Sequence, residues 1–479
     1  MQLNVFTGGS PAGRAPRVFD SVDSPADPTA VTQLMNGVRD ADLLAPPVIL
    51  PDFHHKSSME MPSSIAVATH DTIRPTLSSS SLNCGMALIT LDTERPKPAA
   101  IADFYRRVRE RYPFPRSNRR DLSADDVVRC AIEGGRFAAD RFGVEPAELD
   151  RVEVGGCLDL DRFGGAQRVR RELPWSVKQL SRMRFGTVGP SNHFIELQEV
   201  EELIDPVAAS RLGVQQGQVT LQYHCGGGVL PGELGALFGR RKRRPAPLRI
   251  QMAFEKPRYH LVSARSLAEL QLRRALYFSD GCPPVPRDGR EGERLLLANA
   301  ASMNYGFAFR LATYATLRRL AREAFGASGS QLIVDSPHNS IYEEEVAGVV
   351  AVVHRHNACR AYPAARMAGH PVFGEVGQAL LLPGMNYTSS YLCVAGEGAS
   401  ASLYSACHGA GTIIADFAAR RLSGPDPHAH TTLRFGYSDA APDEVPHLDD
   451  RGINEALGIL VRHDLVRPVA RLRPFAVLN

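Results

Sequence analysis

The sequence has few aromatic residues and no long apolar run. Tryptophan occurs once and aromatic residues make up 7% of the 479 positions, so the core must be built mainly from aliphatic side chains. No stretch approaches the roughly 20 apolar residues that a transmembrane helix needs. Residues 1–6 also lack a basic region followed by an apolar run, which a secretory signal would require. These absences predict no association with a membrane and a cytoplasmic location.

An excess of charge of one sign is also missing. Lys and Arg number 55 and Asp and Glu number 52, a net charge of +3, so bulk charge neither favours nor excludes a nucleic-acid partner. The local basic run at residues 240–244 could contact an RNA backbone or form a solvated loop. The eight cysteines are scattered without a CxxC pair, which favours free thiols or metal ligands over disulfides.

Strand and helix patterns alternate irregularly along the chain and no repeat is visible. This alternation predicts the α+β class, with one large mixed α/β domain at residues 41–479 after a loose N-terminal segment at residues 1–40. Short apolar runs predict strands at 47–50, 64–68, 86–91, 346–354, 379–383 and 469–478. Helical periodicity predicts helices at 100–111, 123–142, 296–325, 410–421 and 454–463.

Four histidines and one cysteine occur beside small or amide residues rather than in apolar stripes. They are Cys84, His193, His224, His338 and His408. Imidazole and thiolate together suit zinc, manganese, iron or cobalt, but only a fold could assemble ligands so far apart in sequence. The alternative is a set of separate polar residues, each hydrogen-bonded in its own loop.

The segment His408-Gly409-Ala410-Gly411 precedes a predicted helix. Backbone N–H groups at a glycine-rich helix start suit a phosphate group. A histidine there could bind the phosphate, act as a base or serve as a nucleophile. The alternative is an ordinary glycine-rich entry into a helix.

The order and wording of several segments resemble the RtcB family of RNA-splicing ligases. Leu50-Pro51-Asp52-Phe53-His54 is similar to that family's Met-Pro-Asp-x-His segment, and Asn83-Cys84-Gly85 to its Asp-Ile-Asn-Cys-Gly segment. Residues 186–196 are similar to its Gly-Thr-Leu-Gly-Ser-Gly-Asn-His-Phe-x-Glu segment. His224-Cys225-Gly226 falls where the family has His-Ser-Gly-Ser-Arg.

The second half of the chain continues the resemblance in the same order. His338-Asn339 resembles the family's His-Asn, and Pro383-Gly384 with the later Ser390 resembles its Pro-Gly-Ser-Met and Ser-Tyr segments. Residues 408–411 equal its His-Gly-Ala-Gly, and residues 469–474 are similar to its C-terminus. The similarity runs in register from about residue 40 to the end, and many ordered matches are more specific than any single one.

The resemblance implies a reaction and a fold with a central cleft for metal and nucleotide. In that family, the histidine of His-Gly-Ala-Gly attacks the α-phosphate of GTP, and the guanylyl group then moves to an RNA 3′-phosphate. A 5′-hydroxyl end attacks the activated phosphate and releases GMP. Two manganese ions support these steps. The resemblance therefore implies a monomeric enzyme that uses GTP and joins RNA 3′-phosphate (or 2′,3′-cyclic phosphate) ends to 5′-hydroxyl ends.

The resemblance also implies roles for individual residues. His408 would be the catalytic nucleophile. Cys84 would bridge two manganese or other divalent transition-metal ions, His193 would hold one ion, and His224 with His338 would hold the other. The implied nucleotide-binding residues are Asn192, His193, Phe194, Ile195, Glu196, His338, Asn339, Pro383, Gly384, Met385, Asn386, Ser390, His408, Gly409, Ala410, Gly411 and Asn479.

The sequence departs from the family at several charged positions. Ser81 stands where the family has a metal-binding aspartate, and a serine run at 78–81 replaces a glycine-rich stretch. The family's arginine is missing after Gly226, Thr412 replaces the arginine that follows His-Gly-Ala-Gly, and Asn479 replaces a terminal lysine. The lysine of the His-Arg-Lys-Gly segment is also absent. Most of these lost groups would neutralise or bind phosphate.

Three hypotheses follow from these departures. The chain is a divergent ligase, or its scaffold transfers a nucleotidyl group to another acceptor or performs single-metal phosphoester chemistry. The third hypothesis is a non-catalytic RNA-binding relative. The presence of His408 and of the Cys84, His224 and His338 ligands disfavours the third, because a protein without chemistry has no need of them. Asp52 is a candidate to replace the carboxylate lost at Ser81.

Overall fold

The computed structural model describes residues 15–57, 59–114, 119–189, 192–239, 246–279, 283–438 and 441–479. Within these ranges the chain is a single mixed α+β domain, as the sequence predicts. The basic run at 240–244 lies outside the described residues. The described strands are β1 (Arg17–Val18), β2 (Val48–Ile49), β3 (Ile65–Thr69), β4 (Thr72–Ile73), β5 (Gly85–Leu91), β6 (Phe194–Leu203), β7 (Val219–Cys225), β8 (Val285–Pro286), β9 (Ser330–Pro337), β10 (Asn339–Val346), β11 (Val349–His356), β12 (Ala358–Arg360), β13 (Ala379–Leu382), β14 (Ser390–Ala395), β15 (Ser405–Cys407), β16 (Thr431–Phe435), β17 (Asp443–Pro446) and β18 (Val466–Leu478).

The α-helices of the described residues vary widely in length. They are α1 (Pro28–Val38), α2 (Pro98–Arg111), α3 (Ala124–Glu133), α4 (Gly135–Phe142), α5 (Gly165–Glu172), α6 (Trp175–Ser181), α7 (Pro206–Leu212), α8 (Val229–Phe238), α9 (Ala246–Pro257), α10 (Leu267–Phe278), α11 (Arg290–Phe325), α12 (Gly411–Ala419) and α13 (Arg451–Arg462). Among the described residues, no helix combines the length and the hydropathy that a membrane span requires.

A nine-stranded sheet forms the centre of the molecule. Its strand order is β13-β14-β18-β6-β7-β5-β9, and β16 joins the sheet by pairing with β18 and with β17. The first residue of β5, Gly85, is opposite both Cys225 at the end of β7 and Pro337 at the end of β9. The chain therefore brings the residues just before β5, at the end of β7 and just after β9 to one edge of the sheet.

The long helix α11 packs across one face of this sheet, and its Arg310 is fully buried. The Arg310 guanidinium forms an ion pair with Asp335 on β9 and donates hydrogen bonds to the backbone and side-chain oxygens of Asn83. A buried charge is tolerated only when it is paired and hydrogen-bonded, which both partners of Arg310 provide. The cluster ties the loop before β5 to the helix.

A second, five-stranded sheet has the order β1-β2-β3-β11-β10. Its apolar face shares a core with β13, β14, α12 and α13, including Val353, Leu382, Ile414 and Leu460. The two sheets thus pack against one shared core, and α12, the helix that follows His408, lies in that core.

Three segments differ from the simplest expectation. The helix expected at 123–142 is divided at Gly134, which has a φ of 54° and approaches Gly156 so closely that a Cβ would lie 2.2 Å from the Gly156 oxygen. Part of the stretch expected to be loose forms α1, whose Leu34 and Val38 side chains are buried. The strand expected at 346–354 is β11, preceded by a tight turn from β10.

Candidate metal and nucleotide site

Four metal-ligand candidates converge at the sheet edge where β5, β7 and β9 meet. The Sγ of Cys84 lies 3.3 Å from the Nε2 of His224 and 3.7 Å from the Nε2 of His193. The ligand atoms of Cys84, His224 and His338 all lie within 4.8 Å of one another. The ring of His193 lies 5.0 Å from that of His224, centroid to centroid. One thiol and two imidazoles therefore lie close enough to share one cation, and His193 lies beside them.

The surroundings of this group disfavour charge when no cation is bound. Burial raises the pKa of the Cys84 thiol to about 11. Burial, together with neighbouring histidines, lowers the pKa values of His224 and His338 well below the usual range. Both imidazoles are therefore neutral at pH 7, as a metal ligand must be, and a cation would favour loss of the thiol proton.

The hydrogen bonds of the site leave one buried nitrogen unused. The Nδ1 of His338 has no hydrogen-bond partner among the described residues, although His338 is 1% exposed. Buried polar atoms normally have partners, so an unused nitrogen beside a thiol and a second imidazole fits a ligand for a cation. The sulfur and nitrogen donors favour a borderline or soft transition metal over magnesium or calcium.

The loop that carries Cys84 is held in an unusual backbone conformation. Asn83 has a φ of 57°, and its backbone N–H donates to the oxygen of Asn339, 2.9 Å away. The His338 N–H donates to the Cys84 oxygen at 2.9 Å, which joins the two ligands through the backbone. The Asn339 side chain accepts from the Asn357 N–H at 2.9 Å and donates to the Ser81 oxygen at 3.3 Å. Asn339 therefore supports the loop that carries Cys84.

His408 lies beside the metal-ligand group, directly after β15. Its ring centroid is 4.3 Å from that of His338 and 6.4 Å from that of His224. Burial, with Lys56 nearby, lowers the pKa of His408 to about 3. The imidazole is therefore neutral at pH 7 and has a lone pair available for attack on phosphorus. Its Nδ1 has no hydrogen-bond partner among the described residues.

The N-terminus of α12 is partly occupied by Asp52. The Asp52 carboxylate accepts hydrogen bonds from the backbone N–H of Thr412 at 2.7 Å and of Ile413 at 3.3 Å. A carboxylate at this position stabilises a helix through its free N–H groups and its dipole. Asp52 is therefore engaged with α12, which argues against the hypothesis that it replaces the carboxylate lost at Ser81.

Ser81 faces the metal-ligand group. A Cβ placed on Gly226 would lie 3.8 Å from the Ser81 hydroxyl oxygen and 3.5 Å from the Cε1 of His193. The Ser81 side chain also hydrogen-bonds to the Cys84 thiol. The ion nearest His193 would therefore meet a neutral hydroxyl at this position.

A loop from Pro383 to Ser390 lies against the glycine-rich segment. A Cβ on Gly409 would lie 3.7 Å from Pro383, and a Cβ on Gly411 would lie 3.5 Å from the Sδ of Met385. The loop, which also contains Asn386, is held internally, because the Gly384 N–H donates to the Ser390 hydroxyl at 3.1 Å. The structure thus places these two candidate nucleotide-binding segments side by side, with Ala410 buried beneath them.

The residues of β6 divide between the two faces of the sheet. Phe194 is opposite His224, and their rings lie 5.8 Å apart. Glu196 is buried on that face, where burial raises its pKa to about 8, and it accepts a hydrogen bond from Gln198 at 2.7 Å. Ile195 belongs to the core on the other face. Only the backbone of Ile195 could therefore contact a ligand near His224.

Asn192 and Asn479, the first and last of the predicted nucleotide-binding residues, lie near the start of β6. Asn192 is exposed, and its backbone hydrogen-bonds to His224. Asn479 follows Leu478, which is opposite Ile195, so the C-terminus lies beside the same end of β6. The side-chain oxygen of Asn479 accepts a hydrogen bond from Arg434 at 3.1 Å.

Lys56 is a basic residue of the site that the motifs alone do not identify. It is half-buried, and its charge acts on both Cys84 and His408. Burial lowers the pKa of Lys56, opposed by Asp52 and Cys84. Its position two residues after His54, next to the segment that resembles the family's Met-Pro-Asp-x-His, is the signal that could have identified it.

Comparison with known proteins gives one consistent family. A family model described as tRNA-splicing ligase RtcB matches residues 33–479. The tRNA-splicing ligase RtcB of Thermococcus kodakarensis is 28% identical over 460 residues, which cover 90% of this chain and 86% of the relative. The RNA-splicing ligase RtcB of Mycobacterium tuberculosis is 28% identical over 421 residues, which cover 83% and 88%.

Some relatives are much longer than the matched region. The tRNA-splicing ligase RtcB of Pyrococcus furiosus is 30% identical over 370 residues, which cover 74% of this chain and 34% of the relative. The chain therefore spans about a third of the length of this Pyrococcus relative.

Proposed function

The chain belongs to the RtcB family, and from that premise we propose that it is an RNA ligase that joins 3′-phosphate (or 2′,3′-cyclic phosphate) ends to 5′-hydroxyl ends, with GTP and manganese. The observation that carries this proposal is the 4.3 Å between the ring centroids of His408 and His338. A neutral imidazole with an unused nitrogen therefore lies directly beside a group of metal-ligand candidates.

His408 is the nucleophile in this proposal. Its neutral nitrogen attacks the α-phosphorus of GTP, forming an N–P bond as the bond to pyrophosphate breaks. The RNA 3′-phosphate oxygen then attacks the same phosphorus, which releases His408 and forms a phosphoanhydride. The 5′-hydroxyl attacks the RNA phosphorus, its proton leaves to a base, and GMP departs. A bound divalent ion supplies charge stabilisation to the phosphoryl oxygens.

The neighbouring residues orient the nucleotide. The loop from Pro383 to Ser390 and the segment from Gly409 to Gly411 offer closely packed backbone beside His408, as a phosphate requires. Lys56 adds a positive charge near His408 and takes over part of the neutralisation that the missing family cations would provide. Asp52 holds the start of α12 and so fixes the position of the residues before it.

An arginine-rich cavity supports RNA as the acceptor. A cavity of about 670 Å³ lies between α5, α6, α9, α10 and α11, lined by seven arginines and three glutamates. Arg258 and Arg265 are exposed there, and Trp175 is 69% exposed at its rim. Proteins that bind single-stranded nucleic acid typically contact the phosphate backbone with arginines and stack a base on a nearby aromatic side chain.

A second candidate function follows from Ser81. Because Ser81 supplies no carboxylate to the ion nearest His193, the alternative that the site favours most is a scaffold that transfers a nucleotidyl group to another acceptor or performs single-metal phosphoester chemistry. A non-catalytic RNA-binding relative is the remaining alternative. Covalent labelling separates all of these.

The test begins with the wild-type protein and α-labelled GTP or ATP in the presence of manganese, followed by a denaturing gel. A label with GTP and ligation of RNA carrying 3′-phosphate and 5′-hydroxyl ends are the expected results. A label without RNA joining favours transfer to another acceptor. No label with either nucleotide would contradict nucleotidyl transfer and favour single-metal phosphoester chemistry or the binding-protein alternative.

A further inference from the structure

A second group of metal-ligand candidates lies outside the site already described. Asp426, His430 and His447 each offer a ligand atom, and these atoms lie within 4.8 Å of one another. Asp426 is 8% and His447 is 2% exposed, while His430 is half-buried. Asp426 and His430 lie in the turn before β16, and His447 follows β17, which pairs with β16. The hairpin therefore brings the three side chains together.

The hydrogen bonds of His447 leave the lone pair of its Nδ1 available to a ligand. The Thr432 hydroxyl donates its proton to the Pro474 oxygen at 3.3 Å, so it must accept from the Nε2–H of His447, 2.7 Å away. The proton of the neutral ring is therefore on Nε2, and Nδ1 carries the lone pair. That Nδ1 is buried and has no hydrogen-bond partner among the described residues. A ring nitrogen fixed by an oxygen on its other side is the usual arrangement of a metal-binding histidine.

Asp426 organises the turn that carries His430. Its carboxylate accepts from the backbone N–H of His428 at 3.1 Å and of His430 at 3.2 Å. Its Oδ2 also lies 2.5 Å from the Nδ1 of His430. The Asp426 N–H also donates to the His447 oxygen at 3.0 Å. The carboxylate and the imidazole of this turn therefore lie beside His447.

We propose that Asp426, His430 and His447 form a second metal site, which takes zinc or a similar borderline divalent cation. Two imidazoles and one carboxylate are a common donor set for such ions. To bind one, the Asp426–His430 contact must lengthen to roughly 3.3 Å, the separation of two ligands on a tetrahedral ion. Water completes the shell, because Glu201 lies on the Nε2 side of His430 and pairs with Arg471 and Arg473.

This site has a structural role next to the candidate nucleotide loop, and that part of the inference rests on the proposed function. The Leu448 N–H donates to the Tyr387 oxygen at 2.9 Å. The Asp450 carboxylate accepts from the Ser389 N–H at 2.8 Å and from its hydroxyl at 2.7 Å. The residues that follow His447 therefore hold the loop between Gly384 and Ser390, and a metal at His447 fixes that support to the turn before β16.

Cobalt binding to the Cys84→Ala variant tests the site without any ligase assay. This variant lacks the only thiol of the first group, so cobalt in the second site should give visible d–d bands without thiolate charge transfer. We expect one tightly bound cobalt or zinc ion with Cys84→Ala, and its loss when His430→Ala or Asp426→Asn is added. His428→Gln is the matched control, because His428 is exposed and its hydrogen bond to Asp426 uses only the backbone N–H.

Each result bears on the proposal in a defined way. Retention of the ion in the Cys84→Ala/His430→Ala protein, shown by circular dichroism to be folded, overturns the assignment of His430. If Cys84→Ala binds no ion tightly, and adding His447→Gln does not change metal binding, the proposed site is wrong. Asp426 and His430 then form an ordinary ion pair. His430 is half-buried, so its replacement keeps the test independent of core damage.

The link to the nucleotide loop has its own measurement. His430→Ala should weaken the binding of a non-hydrolysable GTP analogue about fivefold, the lower end of typical coupling between sites. A confirmed metal with unchanged nucleotide affinity overturns the link but keeps the site. If the wild type binds no nucleotide, the proposed function fails, while the cobalt titration still decides the metal site.

Discussion

The imidazole ring of His408 lies 4.3 Å from that of His338, centroid to centroid. His338 is at the same time within ligand distance of Cys84 and His224. The proposed nucleophile and the candidate metal ligands are therefore close enough to act on one phosphate. They come from four separate segments: the ends of β15, β9 and β7, and the loop before β5.

His408→Ala should abolish covalent labelling by GTP while the protein remains folded. The reason is that His193, His224 and His338 are all proposed metal ligands, which leaves His408 as the imidazole that can attack. The label on the wild type should be lost in acid and kept in alkali, as a phosphorus–nitrogen bond requires. His70→Ala, which removes an exposed histidine, is the control and should label fully. Full labelling of His408→Ala would show that another residue is the nucleophile.

Cys84 should be the thiolate ligand of a tightly bound transition metal. Cobalt added to the wild type should give a thiolate-to-cobalt charge-transfer band, because the ion removes the proton of a thiol whose pKa burial raises to about 11. The band should be lost in Cys84→Ala and kept in Cys157→Ala, since Cys157 lies elsewhere, beside Arg136. A band that survives in Cys84→Ala would assign the thiolate to a different cysteine.

Stability should fall as the pH drops from about 6.5 to 4, in part through His354. Burial lowers the pKa of His354 to about 4, and its Nε2 accepts a hydrogen bond from the Arg74 N–H. The unfolded chain binds a proton near pH 6.5 while the folded chain does not, so this residue costs up to about 3 kcal/mol of stability at pH 4.

Chemical denaturation at pH 7.5, 6 and 5 measures this effect. His354→Gln keeps an acceptor for Arg74 but cannot take up a proton, so its stability should depend less on pH than that of the wild type. His70→Gln changes an exposed histidine and should keep the wild-type dependence. An unchanged pH dependence in His354→Gln would contradict the prediction.

The arginine-rich cavity should bind RNA through phosphates and one stacked base. Arg258→Ala and Arg265→Ala should each reduce the salt dependence of RNA binding by about one unit of slope, because each removes one phosphate contact. Trp175→Ala should lower affinity by about 1–3 kcal/mol without changing the slope. Arg141→Ala, an exposed arginine on α4, is the control. Equal effects of all four variants would mean that the cavity is not the binding surface.

The sequence predicts the fold class and the neighbourhood of the motifs, but not contacts made across long chain distances. The helix expected at 123–142 begins with a capping box, since Ser123 and Asp126 hydrogen-bond reciprocally, yet it divides at Gly134. That break depends on Gly156, a residue of a different segment, and no local pattern records it.

The same limit applies to the site. Asp52 reads as part of a motif, but its bonds to Thr412 and Ile413 span about 360 positions of sequence. The group around His447 has no spacing that identifies it, because Asp426 and His447 are brought together by the hairpin of β16 and β17. Ordered motifs identify residues, whereas the fold decides which atoms remain free for a ligand.

The last prediction concerns Ser81, the position at which the family has a metal-binding aspartate. The ion nearest His193 would be bound by Cys84, His193 and a neutral hydroxyl, whereas the other ion has Cys84 and two buried imidazoles. Loss of an anionic oxygen ligand weakens the binding of a hard cation such as manganese more than the binding of a softer one. The ion at His193 should therefore bind weakly and mainly with nucleotide present.

Manganese titration of the labelling reaction measures this difference. Activity should continue to rise beyond the concentration that fills the tight site, and Ser81→Asp should lower the manganese requirement by about tenfold or more, since it restores a ligand. Ser81→Ala is the matched control, because it changes the hydroxyl without adding charge and should not lower the requirement. Asp52 does not compensate in this scheme, since its carboxylate is bound to the N-terminus of α12. Two equally tight manganese ions in the nucleotide-free wild type would refute the weak-site prediction and require another carboxylate at His193.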